Sequence, residues 1–238
     1  MSLGVTKIML SFSHRLLQTM NVTWNLGRLV KLLIVIVALL TTAVAAALDV
    51  NITSDLESLE VIHNGKKVLI ERVQDSENTV NPVYARTSRR CPPFCIQPAT
   101  IADGVDTVAE LEILDYLGKI STGDDSLLVI DSRTPDWLKN GTIPGSVNIP
   151  WTQLNPQSGA DPFEIADILE NKFGARSQEG LWDFSSAKTL ILFCNGIWCG
   201  QSPSNIRTLL RFGYPPGKLK WYRGGMQNWE NLGLSTVK

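Results

Sequence analysis

At 238 residues the chain is long enough for one good-sized core, or for one core with a small accessory part and a targeting segment. Hydrophobic residues make up 44%, which marks a globular protein, and 22 basic against 23 acidic side chains give a formal charge of -1 that offers nothing to nucleic acid. Its four cysteines form two local pairs, Cys91/Cys95 and Cys194/Cys199, and the only histidines, His14 and His63, lie far from both in sequence, a pattern for disulfides or thiol chemistry and not for a metal or cofactor cage.

The first 48 residues contain no acidic side chain, and Lys7, Arg15, Arg28 and Lys31 precede an apolar run from Leu32 to Leu48. Small residues at Ala43-Val44-Ala45 and Ala45-Ala46-Ala47 fit a signal-peptidase site. Residues 1–48 therefore read as a signal peptide or an N-terminal membrane anchor, with a start at Met20 giving the more ordinary basic region. Export follows, to the periplasm or to its membrane face, with the membrane a partner if the segment stays uncleaved.

Residues 49–105 read as a small accessory module. Leu59–Ile62 and Lys67–Ile70 flank His63-Asn64-Gly65-Lys66, and Asn-Gly between two β-prone runs predicts a hairpin, with His63 beside its turn. Asp75 to Arg90 is polar and predicts loop. Cys91-Pro92-Pro93-Phe94-Cys95 then has two readings: a structural disulfide in a proline-stiffened loop, or a redox pair helped by Arg89 and Arg90. A lid or platform for an active face is one use for this segment.

From 106 to 238 the rhythm is α/β. Asp106 to Glu110 has the form of a capping box opening a helix that ends near Gly118. Strands are expected at Leu127–Ile130, Val147–Ile149, Thr189–Phe193 and Leu219–Tyr222. Helices are expected at Pro135–Leu138, Pro162–Phe173, Pro203–Phe212 and Met226–Leu232. Apolar strands alternating with helices predict a parallel sheet covered on both faces, with the chemistry beyond the carboxyl ends of the strands. Cys194 falls there, between the apolar run Leu190–Phe193 and a helix opened by Ser202-Pro203, where backbone N–H groups and the helix dipole favour a thiolate. It is the candidate nucleophile.

Three separated motifs resemble the rhodanese-like family. They are Val129-Ile130-Asp131-Ser132-Arg133 followed by Gly141-Thr142-Ile143-Pro144-Gly145, Cys194 at a strand end, and Arg223-Gly224-Gly225-Met226 with Trp229. The resemblance covers about Thr107 to Lys238 and implies a sulfurtransferase. A thiolate takes sulfane sulfur from a small donor, holds it as a persulfide, and passes it to a thiol or other thiophilic acceptor. In that frame Asn195, Gly196, Ile197, Trp198 and Gly200 form the active-site loop, its glycines letting N–H groups approach an anion. Gly224 and Gly225 let a second loop close over the sulfur. Asp131 and Arg133 pair to brace the loops, with Arg133 also a candidate to attract an anionic donor.

The loop departs from the family in carrying no basic residue from Asn195 to Gln201 and in holding a second thiol, Cys199. Arg207, Arg211 and Arg223 are the candidate replacement cations. Cys199 is either a resolving thiol or a small filler beneath the loop. Trp198 either shields the sulfur or anchors the loop. The alternative reading is thus a redox-responsive or non-catalytic binding module with a Cys194–Cys199 pair and a periplasmic redox protein as partner. A phosphatase, which would want an arginine closing the loop, is the third.

Overall fold

The computed structural model describes residues 49–238, so the signal or anchor segment 1–48 lies outside the described residues. Among those described, no helix is long and apolar enough to cross a membrane.

The chain opens on the expected hairpin, β1 (Ser58–His63) antiparallel to β2 (Lys66–Glu71). Asn64 and Gly65 sit at φ 50° and 75°, the paired left-handed conformations that a two-residue turn between twisted strands requires. Within the polar stretch expected as loop lies one helical turn, α1 (Pro82–Ala85). The Asn81 carbonyl oxygen of the side chain accepts the Val83 N–H at 3.1 Å, and Pro82 takes the first helical position.

Asp106–Val108 is not a helix start but a strand, β3, paired in parallel with Lys220–Tyr222. Sheet pairing overrides the local capping pattern, and the helix begins later, as α2 (Glu110–Ser121), which runs past Gly118. The acidic half of a capping box survives, with the Glu112 carboxylate accepting the Ala109 N–H at 2.9 Å.

The expected alternation follows in β4 (Leu127–Asp131), α3 (Pro135–Leu138), β5 (Val147–Asn148), α4 (Trp151–Leu154) and α5 (Pro162–Asp167). α5 continues as a wider π turn, Ile168–Lys172, before Gly174 turns the chain at φ 74°. A small ribbon with no clear sequence signal, β6 (Arg176–Gln178) and β7 (Leu181–Asp183), precedes β8 (Thr189–Phe193). The chain ends in α6 (Gln201–Arg211), β9 (Leu219–Tyr222) and α7 (Gly225–Asn231).

Five strands form one parallel sheet in the order β3-β9-β8-β4-β5. Central β8 alternates between two cores, as a strand buried on both faces must. Leu190 and Leu192 join Ile130, Trp221, and Ile206 and Leu209 of α6 on one face. Ile191 and Phe193 join Tyr222, Ile113 and Leu117 of α2, and Met226 and Trp229 of α7 on the other. Each fully buried side chain of this kind contributes about 1.5–3 kcal/mol. Val61, Ile70 and Tyr84 complete the second core, so the hairpin and α1 share it, and Leu48–Lys238 clusters as one compact unit. Asp131, Phe193 and Tyr222 lie side by side in register. Ser132, Cys194 and Arg223 consequently leave the sheet at the same edge.

Candidate active site

Cys194 follows directly on the buried strand β8, and its sulfur is fixed by the first turn of α6. The Ser202 hydroxyl lies 3.1 Å from Cys194 Sγ, and the Trp221 indole N–H donates to Ser202 Oγ at 3.1 Å. As a thiol, Cys194 donates to the Cys199 carbonyl at 3.3 Å. Burial pushes the Cys194 thiol up, but hydrogen bonds from Cys199, from the Ser202 hydroxyl and from the Ser202 and Gly196 backbone N–H groups outweigh it and bring the pKa down from 9.0 to about 7. The neighbouring Cys199 moves the other way, raised by burial and by the negative charge that Cys194 takes first. Both thiols are free and buried, which leaves one activated sulfur with one protonated neighbour.

Beneath the loop, Asp131 and Arg133 make the expected brace. The Arg133 guanidinium meets both carboxylate oxygens, with Nη2 2.5 Å from Oδ2, and both side chains are wholly buried. Remaining donors are used as well, by the Tyr84 hydroxyl at 2.8 Å, the Gly141 carbonyl at 2.8 Å and the Asn195 side-chain oxygen at 3.4 Å. Thr142 donates to Asp131 at 2.6 Å, so the pair has the full set of partners a buried ion pair needs. Being sealed and saturated, Arg133 does not face an incoming anion, and that half of its expectation is corrected.

A second loop holds the first by its backbone. Met226 N–H donates to the Cys194 carbonyl and Gln227 N–H to the Asn195 carbonyl, each at 2.9 Å. Gly225, at φ +55°, makes this approach, and a Cβ there would stand 2.3 Å from the Cys194 carbonyl oxygen. Gly225 thus clamps the backbone of the cysteine and does not cap its sulfur. Gly224 has ordinary backbone but is required by close packing, since a Cβ there would stand 2.8 Å from the Asn228 Cβ, whereas Gly200 sits at φ -90° with space beside it. Gly196, at φ +153°, is hemmed in by Gln227.

Trp198 anchors the loop. Its indole N–H donates to Gln227 Oε1 at 2.8 Å, while Phe94 meets its ring edge-on at 5.6 Å and the Arg89 guanidinium lies 3.9 Å over it. Ile197 accepts the Gln97 N–H at 2.8 Å. Cys91 and Cys95 are joined in a disulfide beside Phe94, so the polar end of the 49–105 segment lies on the cysteine loop.

The other candidate cations do not enter the site. Arg207 is exposed on α6, Arg211 donates to Thr208 Oγ1 at 2.8 Å, and Arg223 donates to the carbonyls of Gln97 at 2.9 Å and Pro98 at 3.0 Å. Arg89, which no motif singled out as a site cation, is the one that stacks on the loop, over Trp198. Sequence reading did not assign Ser202, Trp221, Gln227 or Tyr84 to the site. Ser202 carried a signal as the residue before a helix-opening proline, whereas the other three act from elements remote in sequence. His63 lies away from the thiols and accepts the Gly145 N–H at 3.1 Å. Among the described residues no group of three or more His, Cys, Asp or Glu is placed to hold a metal ion.

Comparison with known proteins gives a match to the model of the rhodanese-like domain over residues 114–232. No curated protein matches. Among solved structures, similarity is found to a Rhodopseudomonas palustris protein of unknown function described as a "possible tyrosine phosphatase" (20% identity, 58% of this chain and 88% of that one, TM-score 0.37). The human single-domain sulfurtransferase is similar at 19% identity over 52% of this chain and 95% of its own, with TM-score 0.33. Reduced CoADR-RHD of Bacillus anthracis is similar at 25% identity over 54% of this chain and 17% of its own, with TM-score 0.32.

Proposed function

Since the chain belongs to the rhodanese-like domain family, we propose that it is an exported sulfurtransferase that carries sulfane sulfur as a persulfide on Cys194. The observation that carries this reading is the Trp221–Ser202–Cys194 chain of hydrogen bonds, which favours the thiolate form of a cysteine at the carboxyl end of the central strand. In the first half-reaction the thiolate attacks the outer sulfur of a donor such as thiosulfate. The donor's S–S bond breaks, sulfite leaves with the bonding pair, and the enzyme holds an anionic persulfide. In the second, a thiolate or cyanide attacks the outer persulfide sulfur, the new S–S bond breaks, and the Cys194 thiolate returns. Ser202 and the loop N–H groups serve both states, because each is an anion at nearly the same place. Export rests on the acid-free, basic start and the apolar run before Asp49.

A second reading has its own support in the free Cys199, buried beside Cys194. Attack of Cys199 on a Cys194 persulfide would release hydrosulfide and leave a Cys194–Cys199 disulfide, making the site a redox pair that a dithiol partner must reset.

The experiment is thiocyanate formation from thiosulfate and cyanide by the reduced full-length chain, beside Cys194→Ala and Cys199→Ser. Turnover that Cys194→Ala abolishes and Cys199→Ser preserves is the expected result. No thiocyanate and no persulfide mass on Cys194 with several sulfane donors would overturn the transferase. Turnover that appears only in Cys199→Ser would select the redox pair.

A further inference from the structure

In this structure the nucleophile is out of reach, Cys194 being only 2% exposed. The strap of residues 89–98 lies against the loop that encloses it. Phe94 packs on the cluster of Cys194, Trp198 and Cys199, and the Arg89 guanidinium lies 3.9 Å over the ring of the same tryptophan. The strap is tied at its far end, where Gln97 N–H bonds to Ile197 and Arg223 holds the carbonyls of Gln97 and Pro98. Its middle is shaped from within by the Phe94 N–H, which donates to the Arg90 carbonyl at 3.0 Å, and by the Cys91–Cys95 disulfide.

That disulfide closes a loop with a sequence separation of 4, the kind of crosslink that gains least from constraining the unfolded chain. What it does locally is direct Phe94 inward while its own first sulfur-bearing residue, Cys91, faces solvent together with Pro92 and Pro93. Ile96, beside it, is 79% exposed, so an apolar contact point for a partner adjoins the bond. Arg89 and Arg90 immediately precede Cys91, and cationic neighbours favour both an attacking thiolate and a departing one. An accessible disulfide in a cationic setting, with its loop plugged against a buried thiolate, is arranged for exchange.

We infer that the Cys91–Cys95 disulfide is a redox latch, and that its reduction by a dithiol partner frees Phe94 from Trp198 and uncovers Cys194 for the sulfur donor. In the step, one thiolate of the partner attacks Cys91 Sγ, forming a mixed disulfide and expelling the Cys95 thiolate. The partner's second thiol displaces Cys91, so the partner leaves as a disulfide and the strap gains two electrons and two protons. Oxidation by a disulfide-bearing partner reverses the sequence and closes the site. This inference rests on the reading of Cys194 as the sulfur carrier, but its test does not depend on sulfur transfer.

The test is the rate at which iodoacetamide alkylates Cys194 in the full-length chain, read peptide by peptide by mass spectrometry. A Cys199→Ser background removes exchange within the site. One sample keeps the Cys91–Cys95 disulfide, and the other is reduced with dithiothreitol, which is then removed. Cys194 is expected to react about tenfold or more faster in the reduced form, because modification of a covered group follows the population of the opened state. Phe94→Ala, with the disulfide intact, is expected to reach nearly the reduced rate. Equal Cys194 rates in the oxidised and reduced chains, or a Phe94→Ala rate no higher than that of the oxidised parent, would overturn the latch. A latch-dependent rate without any thiocyanate formation upholds the latch and removes the transferase, and equal turnover in both strap states does the reverse.

Discussion

Ser202 has one proton to give, and its surroundings decide where that proton points. Trp221 Nε1 is a donor only, so at 3.1 Å it occupies a lone pair of Ser202 Oγ and directs the hydroxyl hydrogen to Cys194 Sγ. Removing the hydroxyl withdraws a bond made to the charged form, so the thiolate is disfavoured and the pKa rises. A hydrogen bond to a charged group is worth about 1.5–3 kcal/mol, and Ser202→Ala should therefore move the midpoint of Cys194 alkylation against pH up by about one to two units from its starting value. Since the parent titrates near pH 7, the variant loses most of its reactivity at pH 7 and recovers it near pH 9. Ser202→Thr, which keeps the hydroxyl, should stay close to the parent, and an unmoved midpoint in Ser202→Ala would remove the serine from the chemistry. Gly225→Ala tests the backbone clamp. A Cβ placed 2.3 Å from the Cys194 carbonyl forces the two loops apart, and with the left-handed backbone it should cost upward of about 1 kcal/mol in urea denaturation.

At the scale of elements, the site is a row of strand ends fastened by groups from other parts of the chain. β4 and β8 were legible because apolar runs ended in Asp131 and Cys194, and β9 because Leu219, Trp221 and Tyr222 preceded Arg223, and a parallel sheet aligns such ends. The pairing of Asp131 with Arg133 was legible too, as part of the family resemblance, and a turn just past the strand makes it, Arg133 N–H donating to Asp131 Oδ1 at 3.1 Å. Their outer partners were not, since nothing local in Asn81-Pro82-Val83-Tyr84 says that the Tyr84 hydroxyl oxygen will accept a hydrogen bond from Arg133. Asp106–Val108 was misread for a related reason. Its capping pattern is local, while the three-residue pairing with β9 is not. Arg133 carries the strongest consequence. Arg133→Ala would leave the Asp131 carboxylate buried with its main partner gone and should cost about 3–5 kcal/mol. Asp131→Asn with Arg133→Met, which removes both charges, should recover a substantial part of that loss in thermal unfolding. Equal losses in the single and double variants would show that packing, and not charge pairing, is what Arg133 supplies.

Over the whole molecule, the decisive feature is that the hairpin does not carry a core of its own. Val61 and Ile70, at 1% and 0% exposure, are buried in the same cluster as Ile191 and Phe193 of the central strand, and Tyr84 joins that cluster to Arg133. Residues 49–105 and 106–238 should then unfold together. Six of the seven tryptophans, at 137, 151, 182, 198, 221 and 229, lie beyond the hairpin, and the seventh, Trp24, lies before it, so tryptophan fluorescence does not report β1 or β2 directly. Ile70→Ala opens a cavity on the hairpin and should lower stability by about 2–5 kcal/mol. If the core is shared, the loss appears in full in the tryptophan transition, which remains single and coincides with that seen by far-ultraviolet circular dichroism. An independent hairpin would leave the tryptophan midpoint where it was. The coupling also bears on Cys194, because the strap is the continuation of α1 and Tyr84 packs in this core. A hairpin loosened by Ile70→Ala should raise the alkylation rate of Cys194 even with the Cys91–Cys95 disulfide intact, linking the cover of the site to the stability of the element that precedes it.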